Sequence, residues 1–264
     1  MAELRTPTPD HAIESMAFAV HLDGQIKGAG FRHLKSELGP QLKDRLPLQK
    51  EKQKVTFSFD EKTGVGAQST AEQEVGGLAF MHMLPDGRSE TALVIEPDWI
   101  AVIWGAYRSW AENLEGAEQL LSKAFEVAQA HVKAKSLGLQ YEDRFFWDGS
   151  VEEFDQYSVF RKGSHFVPLN ALESGGLWHS HNGFMRGEQL VNLNVSLKKS
   201  KKELEIVIAS NHRIEIGVTG FEDLFSSGNF GKRFAEMHET NKEVMQHLLS
   251  DEICERINLG KPNA

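Results

Sequence analysis

The chain has 264 residues, 40% hydrophobic, 25% charged and 9% aromatic, which is the make-up of a globular protein and argues against disordered, fibrous and membrane-embedded classes. Lys plus Arg number 29 against 38 Asp plus Glu, a formal net charge of −9, so the molecule as a whole repels a nucleic-acid backbone and broad coating of DNA or RNA is not expected. Its single cysteine, Cys254, excludes an intramolecular disulfide framework, and with no charged-then-apolar leader or membrane-length apolar run to read, the expectation is a cytoplasmic protein that needs no membrane.

Ile13 to Leu22 carries apolar residues at both parities, the pattern of a strand covered on both faces, and Asp23-Gly24 closes it with turn chemistry. Phe31, Leu34 and Leu38, spaced three and four apart, predict a short amphipathic helix stopped by Gly39-Pro40. Val55, Phe57 and Phe59 alternate with polar residues as a half-buried strand does. Strands over 75–84, 89–96 and 99–105 follow, separated by the turns Pro85-Asp86-Gly87 and Glu96-Pro97-Asp98. Ser109-Trp110-Ala111-Glu112 has the spacing of reciprocal helix capping, and Leu114, Ala117, Leu121, Phe125 and Ala128 mark one face of a helix of about 22 residues.

Leu137 to Phe146 reads as a strand ending in the charged run Glu142-Asp143-Arg144 before the aromatic cluster Phe145-Phe146-Trp147. A second antiparallel meander is predicted from Val191, Leu193, Val195 and Leu197, then Leu204, Ile206 and Ile208, then Ile214 and Ile216 beyond Ser210-Asn211. A helix over about 232–249 and a short turn opened by Ser250 close the chain. The fold expected is α+β: two consecutive antiparallel-sheet halves, 1–134 and 135–264, each with a long helix and packed as one unit. Their shared grammar raises a pseudo-repeat, although no residue-level self-similarity accompanies it.

Three segments carry a resemblance: Trp104 to Trp110, with Tyr107-Arg108-Ser109-Trp110 opening the long helix; the strand Leu137-Gly138-Leu139-Gln140-Tyr141; and Phe234-Ala235-Glu236-Met237-His238 in the last helix. Together they resemble a sporadically distributed prokaryotic family of proteins of about this length with no established activity. Gln140, Glu142 and Asp143 depart from the family's strand, which has Arg, Asn and an aliphatic residue there. The resemblance implies a shared architecture over nearly the whole chain, suits mobile-element or defence-associated genes, and assigns no catalytic residue.

Trp178-His179-Ser180-His181 is the sharpest local motif, because two histidines two apart on a strand project from one face and can share a Zn²⁺. It looks like the His-x-His core of JAMM metalloproteases, but Asn192 stands where that family has its third ligand, an Asp, and Gln189 where it has the oxyanion-supporting Ser. A neutral Asn is a poor substitute for a carboxylate, so a solvent-facing strand edge is the plainer reading. His82 and His212 could join the pair only if the fold brought them near. Gly64-Val65-Gly66-Ala67-Gln68-Ser69 lacks the third glycine of a phosphate-binding loop, and Gly228 to Arg233 ends like a P-loop but lacks its first Gly and its Ser or Thr.

Glu142-Asp143-Arg144 and Glu152-Glu153-Asp155 read as solvated faces, Trp104, Trp110, Trp147 and Trp178 as core or rim, and Cys254 as a filler or surface thiol. Lys198, Lys199, Lys201 and Lys202 form a basic hairpin tip that could steer an acidic partner. With no complete nucleophile, metal or phosphate signature, the function expected is a non-catalytic interaction or accessory protein. Its protein partner would be recruited by a sheet edge and this tip, with self-association also open. The alternative is a zinc-dependent hydrolase centred on His179 and His181.

Overall fold

The computed structural model describes residues 3–58, 70–200 and 203–260. Ten strands form one antiparallel sheet: β1 (Leu4–Arg5), β2 (Ile13–Asp23), β3 (Leu48–Ser58), β4 (Thr70–Met83), β5 (Ser89–Ile95), β6 (Trp99–Trp104), β7 (Lys133–Trp147), β8 (Trp178–Arg186), β9 (Gln189–Lys199) and β10 (Leu204–Thr219). The strand order is β3-β4-β5-β6-β2-β7-β10-β9-β8, with β1 added to the end of β7. The α+β class is as the alternating strands and amphipathic helices predict. The two halves do not build separate sheets, however. β2 and β7 pair antiparallel, Phe18 against Leu139 and Met16 against Tyr141, and so join them into one.

All the described helices gather on one face of this sheet. α1 (Gly28–Leu42) packs on β4 and α2, α2 (Trp110–Ala128) on β6, and α4 (Asn229–Leu248) on β7 and β10, while the short α3 (Leu169–Leu172) and α5 (Asp251–Arg256) cover the β8–β9 end. Because side chains alternate along a strand, every second residue meets the helices: Met16, Phe18, Val20 and Leu22 of β2 are buried, whereas Ala17, Ala19 and His21 face the side without helices and are half-buried. This corrects the expectation that β2 is covered on both faces. Its second apolar set is made of alanines, small enough to sit on the helix-free side of a central strand.

Ser109 caps α2 as its spacing predicts, its side chain accepting the Glu112 N–H at 3.3 Å. Gly116 lets that helix lie directly on β6, since a Cβ there would come within 2.9 Å of the Trp104 ring. α1 does not stop at Gly39-Pro40 but runs through Pro40 to Leu42. Leu42 and Leu46 continue its apolar stripe into the core, 1% and 2% exposed, and that burial outweighs the one backbone hydrogen bond a proline removes. Nor do Ser210 and Asn211 make a turn. β10 passes straight through them over 16 residues, because both its neighbours, β7 and β9, stay in register there.

The apolar interior is divided. One core lies under α1, α2 and the first half of α4, with Phe18, Leu139, Phe230, Phe234 and Met237; the other lies under the second half of α4 and α5, with Phe145, Val195, Ile206, Val244 and Leu248. Phe59, the glycine loop at 64–69, Lys201 and Lys202 lie outside the described residues, as do the side chains of Val55 and Phe57.

Candidate functional site

The boundary between the two cores is polar, and each element that crosses it contributes. On the helix-covered face β7 reads Leu139, Tyr141, Asp143, Phe145, and β10 reads Ile208, Ser210, His212, Ile214, with Tyr141 opposite Ser210 and Asp143 opposite Ile208. Above them α4 presents Phe234, His238, Asn241 and Met245, spaced four, three and four apart and therefore on one stripe. Asp143, Ser210, His212 and Asn241 are all buried, at 4%, 0%, 1% and 6% exposure.

The hydrogen bonds along this seam are specific. Asn241 Oδ1 accepts from Ser210 Oγ at 2.6 Å and lies 3.1 Å from His212 Nε2. Tyr141 Oη and His238 Nδ1 are 2.7 Å apart. The His238 ring stacks on the Trp110 indole, 4.0 Å between centroids with 5° between planes, and Phe18 packs against the same indole. At the mouth the His11 and Tyr107 rings meet edge to face at 4.9 Å.

One end of this seam opens into a cavity of about 350 Å³, lined by Asp10, His11, Tyr107, Trp110, Tyr141, Asp143, His238 and Lys242 among others, within the size range of small-molecule sites. Burial sets its electrostatics. It pushes the Asp143 carboxyl up to about 7, helped by the neighbouring Glu142 carboxylate. It also pushes the His212 and His238 imidazoles down to about 4 and lowers His11. The Tyr141 hydroxyl is held well above its ordinary value by the same desolvation, with Tyr107 and Asp143 adding to it. Near neutral pH the rings are therefore uncharged, and Asp143 is the group poised between protonation states. Its carboxyl makes no hydrogen bond to any described residue. The Nδ1 atoms of His11 and His212 are buried without partners.

The residues that the sequence singles out for chemistry lie elsewhere. His179 and His181 share one face of β8, as their spacing requires, but that strand is the sheet edge, the face is the one without helices, and both side chains are exposed. Gln189 is buried on the opposite face, 7% exposed, while Asn192 shares the histidines' face. His212 faces the helices, and His82 is held by Glu90 at 2.6 Å on β4, seven strand spacings from β8 or roughly 34 Å. Among the described residues no three His, Cys, Asp or Glu side chains are placed to share a metal ion.

At the hairpin tip Lys198 pairs with Glu205 at 3.3 Å, so that part of its charge is answered locally, while Lys199 is exposed. Arg233 pairs with Glu236 at 3.1 Å. Cys254 is buried and its thiol is pushed up by burial, as a filler residue's would be.

One reading is overturned within a single tripeptide. Glu142-Asp143-Arg144 is not a solvated face: Glu142 and Arg144 pair with each other at 2.6 Å on the helix-free side, and Asp143 between them is turned into the seam. Tyr141, Asp143 and Phe145 alternate with the charged residues, so the parity was legible; what it lacked was the knowledge that α4 covers that side. Tyr107, Trp110 and His238 carried no chemical motif. With Tyr141 they come from segments distant in sequence that converge on this cavity.

No family model and no curated protein matches the chain. Among solved structures, the S. pombe Pct1 RNA triphosphatase in complex with the Spt5 CTD aligns over 90% of this chain and 86% of that one, at 10% identity and a TM-score of 0.15. That similarity is too low to carry an argument about fold or activity.

Proposed function

We propose that this protein is a ligand-binding accessory protein that takes a small molecule into the polar seam between its two cores. The observation that supports this most is Asp143, a carboxyl 4% exposed, without a hydrogen-bond partner, lining a cavity of about 350 Å³. A carboxyl so largely buried is costly to keep ionised without a partner, and a chain under no demand but stability would replace or pair it. A fragment panel screened by ¹H–¹⁵N NMR tests the reading. Fragments should shift the Trp110 indole N–H and the amides of Tyr141 and Asp143; shifts confined to other surfaces would overturn it.

A protein partner on the helix-free sheet face is a second reading, favoured by Leu48, Leu190 and Met185, which stand 38%, 37% and 62% exposed there. We also read the halves as a pseudo-repeat: β2 pairs with β6 as β7 pairs with β10, each half laying its first long strand beside its last.

A further inference from the structure

We infer that the ligand of the seam is an organic ammonium ion, held by the Asp143 carboxylate and by the aromatic rings around it. The inference rests on the seam being a ligand site and adds the chemical class. Tyr107 and Tyr141 line the same cavity as Asp143, beside the Trp110 indole whose one face His238 covers, and aromatic rings attract a cation through their quadrupole, most strongly where water is excluded. His11 and His238 complete the wall as neutral rings, so they do not repel a positive charge.

The charge balance of the cavity points the same way. Its two cations are answered outside it, Arg108 by Glu90 at 2.8 Å and Lys242 by Glu239 at 3.2 Å. The Asp143 carboxyl, by contrast, has no hydrogen-bond or ion-pair partner among the described residues, while Asp10 is exposed and faces His11. The amino end of α2 also opens here and would favour an anion, but Ser109 already caps it and Glu112 already places a carboxylate in its first turn.

A cation in the cavity would do for Asp143 what no protein group does: compensate its ionised form. Binding should then expel the proton from Asp143, so affinity should follow the state of that one carboxyl. The other titratable or charged groups around it are Asp10 and His11 ahead of β2, Tyr107 and Arg108 before α2, Tyr141 on β7, and His238 and Lys242 on α4, with Glu142 acting from the opposite face of β7, His212 deeper in the seam and Glu239 beside Tyr141 and His238. The histidines are shifted below their ordinary range and the tyrosines above theirs.

The test is an NMR titration of the full chain with choline, n-butylammonium and phenethylammonium, each against its neutral counterpart, 3,3-dimethyl-1-butanol, 1-butanol and 2-phenylethanol. At least one ammonium ion should bind at the seam about tenfold or more tighter than its neutral counterpart. Its affinity should fall by close to tenfold per pH unit below about 7, and Asp143→Asn should abolish both the preference and the pH dependence. Equal binding of the neutral compounds, a flat pH profile or full affinity in Asp143→Asn each overturns the inference. If that variant does not fold, the charged-to-neutral ratio and the wild-type pH profile decide alone. Seam shifts caused only by neutral or anionic compounds would reject the ammonium ion and leave the seam as a ligand site; a seam that no compound perturbs would reject both.

Discussion

The seam and the β8 edge both hold histidines, but only the seam holds them away from water. His179 and His181 are two residues apart, project from one face and stand exposed, whereas His212 and His238 come from a strand and a helix and are drawn together beneath α4. At the edge a ring keeps its hydration and costs little; in the seam each ring loses it, and its proton with it. The comparison teaches that a motif compact in sequence reports on local geometry, while perturbed chemistry follows burial.

The largest test of this contrast is Tyr141→Ala. Tyr141 is 1% exposed and bonded to His238, so the change should cost about 3–5 kcal/mol in urea unfolding at pH 7; a loss below about 1 kcal/mol would mean the seam is not packed as described.

Next comes Asp143→Asn, which should stabilise the unliganded protein. The folded-state pKa of Asp143 is raised to about 7 from an unfolded value near 3.9. Stability is therefore lost as pH climbs from about 4 to 7, where the unfolded carboxyl ionises freely and the folded one resists, and it is level above that. The variant should gain about 2–4 kcal/mol at pH 8 and nothing at pH 4; equal unfolding midpoints at both would break the account.

His212 and His238 act with the opposite sign. Their folded values, lowered to about 4, leave stability intact above about 6.5 and remove it as pH falls toward 4, by about 1.4 kcal/mol per pH unit for each ring. His238→Phe should reduce that slope by one proton, and in the Asp143→Asn background the acid slope should steepen, since the opposing carboxyl is gone.

Smaller effects belong to the open side. Lys198→Ser breaks an exposed ion pair with Glu205 and should cost less than about 1 kcal/mol. The double change His179→Ala, His181→Ala at these exposed positions should stay within about 0.5 kcal/mol in urea unfolding. A larger loss there would give the edge histidines a partner the described residues do not include.

Much of the framework was legible because it is written at short range. Ser109 and Glu112 announce the start of α2, Asp86-Gly87 turns β4 into β5 with Gly87 at a φ of 85°, and Val191 to Leu197 alternate as β9 does. Misreadings arose where distant packing outvoted local signals: Leu42 and Leu46 pull α1 past Pro40, and β7 and β9 hold β10 extended through Ser210 and Asn211. The candidate site was hidden for the same reason, since the residues lining its cavity come from the segment before β2, the approach to α2, β7, α4 and the segment after α5.

By itself, then, the sequence determined the α+β class, most of the longer strands and helices, and the parity that sets Tyr141, Asp143 and Phe145 on one side of β7, because capping, turn chemistry and period-two alternation act over a few residues. Tertiary structure alone decided that β2 and β7 weld the halves into one sheet, that helices cover only one face of it, and that Asp143 rather than His179 or His181 loses its water. Strand partners and desolvation depend on contacts between residues a hundred or more positions apart, and no local pattern encodes which of two alternating faces a distant helix will cover.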